Sequence, residues 1–96
     1  MNFDIKAVHF TLREDTKEYL DRKIARIHNA ENMIVDLKFT FTKDKDFVVE
    51  ATVNFRWGVS VHLSEHDFEL TPALDKLIDK LDAKIIKEKE KVSEKR

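Results

Sequence analysis

The stretch that decides the fold is residues 70–91, LTPALDKLIDKLDAKIIKEKEK. Its apolar side chains recur at steps of three and four, which is the period of an α-helix. They are Leu70, Leu74, Leu77, Leu81 and Ile85, with Ile78 widening the same stripe. In a helix these side chains fill an arc about 100° wide. The stretch therefore predicts one long helix with a single apolar face for a core.

Lysines follow a neighbouring face of this helix, again at steps of three and four: Lys76, Lys80, Lys84, Lys87 and Lys91. Like charges four residues apart cost an isolated helix roughly 0.2–0.5 kcal/mol per pair. A helix built only for solubility would more often place acids between them. The spacing favours a polyanion-binding ridge. The alternative is a solvated lysine face with flexible side chains.

Upstream of this helix the pattern alternates with a period of two, which is typical of half-buried strands. The predicted strands cover residues 2–8, 35–42, 47–55 and 59–64, with Val35 and Val59 on the inward side. Residues 13 to about 30 show a helical stripe instead. Thr11 and Thr71 are the expected N-caps of the two helices, and Trp57-Gly58 is expected to form a tight hairpin.

The resulting order is β-α-β-β-β-α, which predicts an α+β fold in two layers. The helical crossover makes the first two strands parallel neighbours, and two hairpins continue the sheet antiparallel. We expect a four-stranded sheet with both helices on one face and the other face open. Residues 1–96 are predicted to form a single domain, with residues 92–96 as a frayed C-terminal end.

Composition limits what the chain can do. It has 96 residues, no cysteine and one glycine, so thiolate chemistry and a glycine-rich phosphate loop are excluded. No apolar run approaches the roughly 18–20 residues of a membrane span, and the N-terminus lacks the apolar core of a signal peptide. We expect a cytoplasmic protein with no membrane partner, no small-molecule substrate and no cofactor.

The formal net charge is −1, but its distribution is uneven. Residues 31–69 carry four basic and eight acidic side chains, whereas residues from Lys80 onward carry seven basic and four acidic ones. A polyanion should therefore meet the helices rather than the middle strands. Arg22, Lys23 and Arg26 form a second basic cluster near the end of the first helix, where complementing the helix dipole is the simpler explanation.

Catalytic and metal-binding sites are poorly supported. His62 and His66 would lie roughly 13 Å apart in a strand, while His9 and His28 fall in other elements. The three serines stand in no nucleophile motif, so we predict that the protein is not an enzyme. Trp57 at a hairpin tip could stack on an RNA base or anchor a protein. The simpler alternative is that it folds over the end of the sheet.

Three stretches carry a family resemblance. They are His9-Phe10, residues 17–24 (KEYLDRKI), and the set Ala73-Leu74-Asp75, Asp79-Lys80-Leu81 and alternating Lys87, Lys89 and Lys91. Together they resemble the ribosome hibernation promoting factor family, also called ribosome-associated inhibitors, in its short form. The family fold is similar to the double-stranded RNA-binding domain, which agrees with the element order above.

The resemblance implies a protein that binds the small ribosomal subunit, through 16S-type rRNA, near the decoding region. It implies that the protein blocks tRNA and mRNA binding and inhibits translation in stationary phase or stress, with ribosome dimers needing a second dimerisation factor. The motifs assign rRNA contacts to Lys23, Lys80, Lys87, Lys89 and Lys91. The basic patterns add Arg22, Arg26, Lys76 and Lys84. The alternative function is a protein-interaction adaptor that uses the open sheet face or an edge strand.

Overall fold

The computed structural model describes residues 1–27 and 30–94. The chain order is β1 (Asn2–Val8), α1 (Glu14–Ala25), α2 (Ala30–Met33), β2 (Ile34–Lys43), β3 (Phe47–Phe55), β4 (Ser60–Asp67) and α3 (Leu70–Glu94). The predicted order is confirmed, with the four-residue helix α2 added before β2. The α+β class is also confirmed.

The four strands form one sheet in the order β1-β2-β3-β4. β1 and β2 are parallel, and the β2–β3 and β3–β4 pairs are antiparallel. This is the topology expected when a helix connects the first two strands and hairpins connect the rest. α3 packs on β3 and β4 and contacts α1 beside it. Both long helices therefore cover the same face of the sheet.

The core lies between this sheet face and the helices. Leu37, Phe39 and Phe41 of β2 pair in register with Val53, Ala51 and Val49 of β3. All six are buried, as are Leu74, Leu77 and Leu81 of α3. Leu20 and Ile24 of α1 belong to the same cluster. Side chains of a strand alternate between its two faces, so one face is apolar and the other carries the polar residues.

Two strand predictions were wrong in detail. Val35 is 44% exposed and Ile34 is fully buried instead. The β2–β3 register shifts between Ile34 and Asp36, and such an irregularity moves a side chain to the other face. Val59 was expected to face inward, but it precedes the start of β4 and is 38% exposed.

The helix ends also differ from the prediction. α1 ends at Ala25, whereas the helical pattern predicted an end near residue 30. Backbone hydrogen bonds from the Arg26 and Ile27 amides to carbonyls three residues earlier close its last turn. His28 lies outside the described residues. The N-cap of α1 is Arg13, whose side chain makes no capping hydrogen bond, so Thr11 stands two residues too early.

α3 begins before Thr71, at Leu70. The Ala73 amide donates to the Glu69 carbonyl at 3.3 Å, and the Glu69 amide donates to Asp67 Oδ1 at 3.1 Å. Pro72 still lies in the first turn, where backbone N–H groups have no acceptor within the helix. The N-cap of α3 is therefore Glu69, and the predicted cap Thr71 lies two residues too late.

α3 is the longest element, at 25 residues, or about 37 Å at 1.5 Å per residue. It accounts for the elongated shape, 46 × 21 × 19 Å. The helix continues to Glu94, and residues 95 and 96 lie outside the described part. Fraying of residues 92–96 stays a prediction.

Candidate nucleic-acid interface

The predicted lysine stripe runs along the flank of α3 that faces β4, and the structure divides it into two halves. In the first half, Lys76 Nζ lies 2.9 Å from Asp67 Oδ2 and Lys80 Nζ lies 2.5 Å from Glu65 Oε2. Lys80 Nζ also donates to the Ser64 carbonyl at 3.2 Å. We call Lys76 and Lys80 the paired lysines, because β4 already supplies each with a carboxylate.

These contacts shift the titration of the groups involved. The hydrogen bond from Lys80 lowers the pKa of Glu65. The pKa of Asp67 is lowered by the hydrogen bond from Lys76 and then by the Glu69 amide. The same contact with Asp67 raises the pKa of Lys76. A carboxylate stabilised in its charged form by a nearby cation behaves in this way. The paired lysines thus hold β4 against α3.

The second half of the stripe is different. Among the described side chains, those of residues 1–27 and 31–92, no acidic group lies within ion-pair distance of Lys84, Lys87 or Lys89, and Lys91 Nζ lies 3.4 Å from Glu88 Oε2. We call Lys84, Lys87 and Lys91 of the stripe, together with Lys89 outside it, the distal lysines. Three of them are exposed and Lys84 is half-buried. Their charge is available to an external anion, as a phosphate-binding surface requires.

The basic cluster on α1 surrounds Tyr19. Arg22, Lys23 and Arg26 line a cavity of about 160 Å³ with this ring, and Lys23 Nζ lies 5.4 Å from the ring centroid. The Tyr19 hydroxyl donates to Asp75 Oδ1 at 2.5 Å. That hydrogen bond raises the pKa of Tyr19 and ties α1 to α3.

The two basic surfaces lie on different flanks of α3. Asp75, which contacts α1, and Lys80, which contacts β4, are about 140° apart around the helix axis. The five lysines of the stripe therefore lie on one flank of α3, and Lys89 lies outside this flank. It places Arg22, Lys23 and Arg26 beside the other flank.

Glu88 stands among the lysines of α3 and did not emerge as a candidate from the sequence, but it is 2% exposed. It lines a cavity of about 230 Å³ between the β3–β4 hairpin and α3, with Trp57, Val59, Lys84, Lys91 and Val92. We call this the Trp57 cavity. The signal was present, because Leu81, Ile85 and Glu88 continue the apolar spacing of four and three.

The described residues contain no group of three or more side chains that could hold a metal ion. His62 Nδ1 lies 3.2 Å from the Thr52 hydroxyl, and His66 Nδ1 lies 3.1 Å from Asp46 Oδ2. These two histidines thus have partners on the open sheet face or in the turn beside it. Over the same described ranges, none of the helices has the length and apolarity needed to cross a membrane.

Fold and surface together define a small α+β domain with a basic C-terminal helix. Residues 3–93 match the family described as Sigma 54 modulation protein / S30EA ribosomal protein, and the chain belongs to this family. The resemblance stated from the sequence is thereby confirmed.

Named relatives agree with this assignment. The chain is 30% identical over 92 residues to the ribosome hibernation promoting factor of Pseudomonas putida, covering 95% of this chain and 89% of that protein. It is 29% identical to the factor of the same name from Azotobacter vinelandii, covering 95% and 85%.

Two solved structures have the same fold. One is a ribosomal subunit interface protein from Coxiella burnetii, with a TM-score of 0.84 at 20% identity, covering 93% of this chain and 98% of that one. The other is the N-terminal domain of Protein Y from Thermus thermophilus, with a TM-score of 0.76 at 21% identity, covering 88% and 96%.

Proposed function

We propose that this protein is a ribosome hibernation factor that acts in the cytoplasm. It binds the small ribosomal subunit near the decoding region, blocks tRNA and mRNA binding, and inhibits translation in stationary phase or stress. The observation that carries the proposal is the set of distal lysines on α3. The family assignment and the names of the relatives support the ribosome as the partner.

Binding depends on charge and shape, and no covalent bond is made or broken. The distal lysines contact rRNA phosphates, and the bulk of the domain occupies the space that tRNA and mRNA need. Phosphate contacts position a protein but do not read sequence, so the shape of the ribosomal cleft supplies much of the specificity. Each neutralised phosphate releases counterions, and binding therefore weakens as salt rises.

The rRNA-binding set comprises Arg22, Lys23, Arg26, Lys76, Lys80, Lys84, Lys87, Lys89 and Lys91. We expect unequal contributions from its members. The distal lysines meet a phosphate without giving up an internal partner, except for Lys91. Each paired lysine must share its charge with a carboxylate of β4. Promotion of ribosome dimers would need a second dimerisation factor.

The test is co-sedimentation with isolated small ribosomal subunits. A triple variant, Lys80→Glu, Lys87→Glu and Lys91→Glu, reverses three charges of the stripe. The matched control, Lys6→Glu, Lys38→Glu and Lys45→Glu, changes the net charge equally but alters exposed lysines of β1, β2 and the β2–β3 turn. We expect wild type and control to travel with the subunit and the stripe variant to stay in the supernatant.

Other outcomes point elsewhere. Equal binding by all three proteins would show that the stripe is only a solvated face. Loss of binding by the control alone would favour the adaptor alternative, since Lys6 and Lys38 lie on the open sheet face. Failure of wild type to bind would contradict the proposed function.

A further inference from the structure

Glu88 is a carboxylate in a position built for an apolar side chain. It follows Leu81 and Ile85 on the buried line of α3, and only 3% of its side chain is exposed. Its Oε2 atom accepts no hydrogen bond from any residue that the structure describes. Lys91 Nζ lies 3.4 Å away, close enough to attract but without hydrogen-bond geometry. A buried acceptor without a donor is costly, and such a group is suited to a ligand that brings donors.

The same cavity offers a flat aromatic surface. Trp57 lines the cavity, and its ring stacks on Phe55 with centroids 5.1 Å apart and planes 20° from parallel. Phe55 itself is buried, so it supports the indole from one side. Trp57 remains 38% exposed. A rigid, partly exposed indole is a platform on which a base can stack.

The hairpin turn fixes the position of this indole. The Gly58 amide donates to the Phe55 carbonyl at 3.1 Å, and the Phe55 amide donates to the Val59 carbonyl at 2.8 Å. Gly58 has φ 85°, a left-handed conformation that glycine adopts without steric cost. The turn therefore presents Trp57 opposite the Glu88 turn of α3 before any ligand arrives.

Charge selects the class of ligand. Lys84 and Lys91 line the cavity together with Glu88, one turn before and one turn after it, and Lys87 and Lys89 flank Glu88 in the sequence. A cationic ligand, such as an arginine side chain or a metal ion, would be repelled by these lysines. A ligand that is anionic overall, flat, and rich in donors along one edge fits all three features. A nucleotide within a single-stranded stretch of RNA has this chemistry.

Among the four RNA bases, guanine fits the carboxylate best. Its Watson–Crick edge presents two adjacent donors, N1–H and N2–H₂, which match the two oxygens of a carboxylate. Adenine and cytosine place an acceptor beside their amino group, and uracil flanks its single N–H with two carbonyls. Each of these would set a lone pair against Glu88.

We infer that the Trp57 cavity binds an unstacked guanine of RNA. Glu88 accepts hydrogen bonds from the Watson–Crick edge, Trp57 stacks on the base, and Lys84 and Lys91 contact the flanking phosphates. The side chain of Lys91 is 64% exposed, so it can turn from Glu88 toward a phosphate. The choice of RNA as the polymer rests on the proposed function. The preference for guanine rests on the cavity itself.

The test uses short RNAs without the ribosome. Fluorescein-labelled pentanucleotides UUGUU, UUAUU, UUCUU and UUUUU are titrated at low salt and followed by anisotropy. Quenching of Trp57, the only tryptophan in the chain, reports the place of binding. We expect UUGUU to bind about tenfold more tightly than the other three, as a paired base edge discriminates. Replacing the central guanine by inosine, which lacks the 2-amino group, should remove part of that preference without changing the protein.

Protein variants separate the contributions. Glu88→Gln should lower the affinity for UUGUU to that for UUUUU. The matched control Glu90→Gln, at an exposed position, should change neither affinity. Trp57→Ala should reduce the affinity for all four RNAs to a similar extent, because any base can stack on the indole. Circular dichroism checks that each variant is folded.

Equal affinity for the four RNAs, full affinity for the inosine probe, or an unchanged preference in Glu88→Gln would overturn the inference. Absence of Trp57 quenching at saturating UUGUU would do the same. Any of these results would leave subunit co-sedimentation intact. Conversely, a guanine preference without subunit binding would refute only the proposed function.

Discussion

Glu88 shows how one residue can oppose the pattern that surrounds it. The apolar side chains of α3 place this position in the core, and the residue found there is an acid. Burial of a charge is unfavourable unless it is paired and hydrogen-bonded, and the 3.4 Å contact with Lys91 compensates only in part. A site that binds a ligand can retain such a group at the expense of stability.

We therefore predict that Glu88→Leu makes the free protein more stable. Leucine fills a similar volume and removes the unsatisfied oxygen, whose burial costs about 1 kcal/mol or more. The side chain of Lys91 is 64% exposed, so its charge stays in contact with water in the variant. Urea denaturation followed by circular dichroism measures the change. Glu90→Leu, at an exposed position, is the control and should have little effect. A lower free energy of unfolding for Glu88→Leu would mean that the carboxylate stabilises the fold.

At the scale of elements, the docking of α3 against β4 depends on ion pairs as well as on the core. Lys76 with Asp67 and Lys80 with Glu65 connect the helix to the edge strand. The lowered pKa values of Glu65 and Asp67 mean that the folded state holds these carboxylates in their charged form. This stabilisation is present above the unfolded pKa values and is lost as the pH falls through the folded ones.

The double variant Lys76→Met, Lys80→Met should consequently be less stable than wild type at neutral pH. We expect the difference to shrink on acidification and to close once the pH has fallen below the lowered pKa values of both carboxylates, where both are protonated. Thermal unfolding at a series of pH values measures this. Lys87→Met, Lys89→Met removes the same charge from positions without an acidic partner among the described residues. The difference in stability between this control and wild type should not follow that pH dependence. If the difference for Lys76→Met, Lys80→Met were also independent of pH, the ion-pair argument would be contradicted.

At the scale of the whole molecule, the sheet and α1 hold a long basic helix whose distal part carries the free charge. With a net charge of −1, overall attraction cannot drive the proposed binding to RNA. Binding would depend on local contacts between lysines and phosphates, and the salt dependence of the affinity counts these contacts. For a single-stranded nucleic acid the logarithmic slope changes by roughly 0.7 for each phosphate contact removed, and we use this value for the rRNA.

We predict that Lys84→Gln, Lys87→Gln reduces the slope of log K against log salt by about 1.4 for binding to the small subunit. Lys76→Gln, Lys80→Gln should reduce it by less, because the paired lysines are partly neutralised by β4. Binding measured across a series of KCl concentrations gives both slopes. Equal reductions would show that RNA displaces the internal carboxylates, so that both halves of the stripe contribute alike.

The sequence by itself determined the four strands and the two long helices, their order and the topology of the sheet. Periods of two and of three to four were clear in each segment, and a helical crossover admits one handedness and a parallel strand pair. The family resemblance followed from short motifs in α1 and α3. These features depend on local pattern and on general rules of chain connection, which a sequence contains.

Only the tertiary structure decided which charges are free. Lys76 and Lys87 belong to the same stripe, but β4 brings Asp67 to one of them and no described acid to the other. Val35 turned outward through an irregularity in the β2–β3 register, and Glu88 became buried because the Trp57 hairpin lies against the end of α3. Each of these outcomes depends on residues far apart in the chain. Pairing and burial are properties of the neighbours that folding supplies, and periodicity along one segment does not contain them.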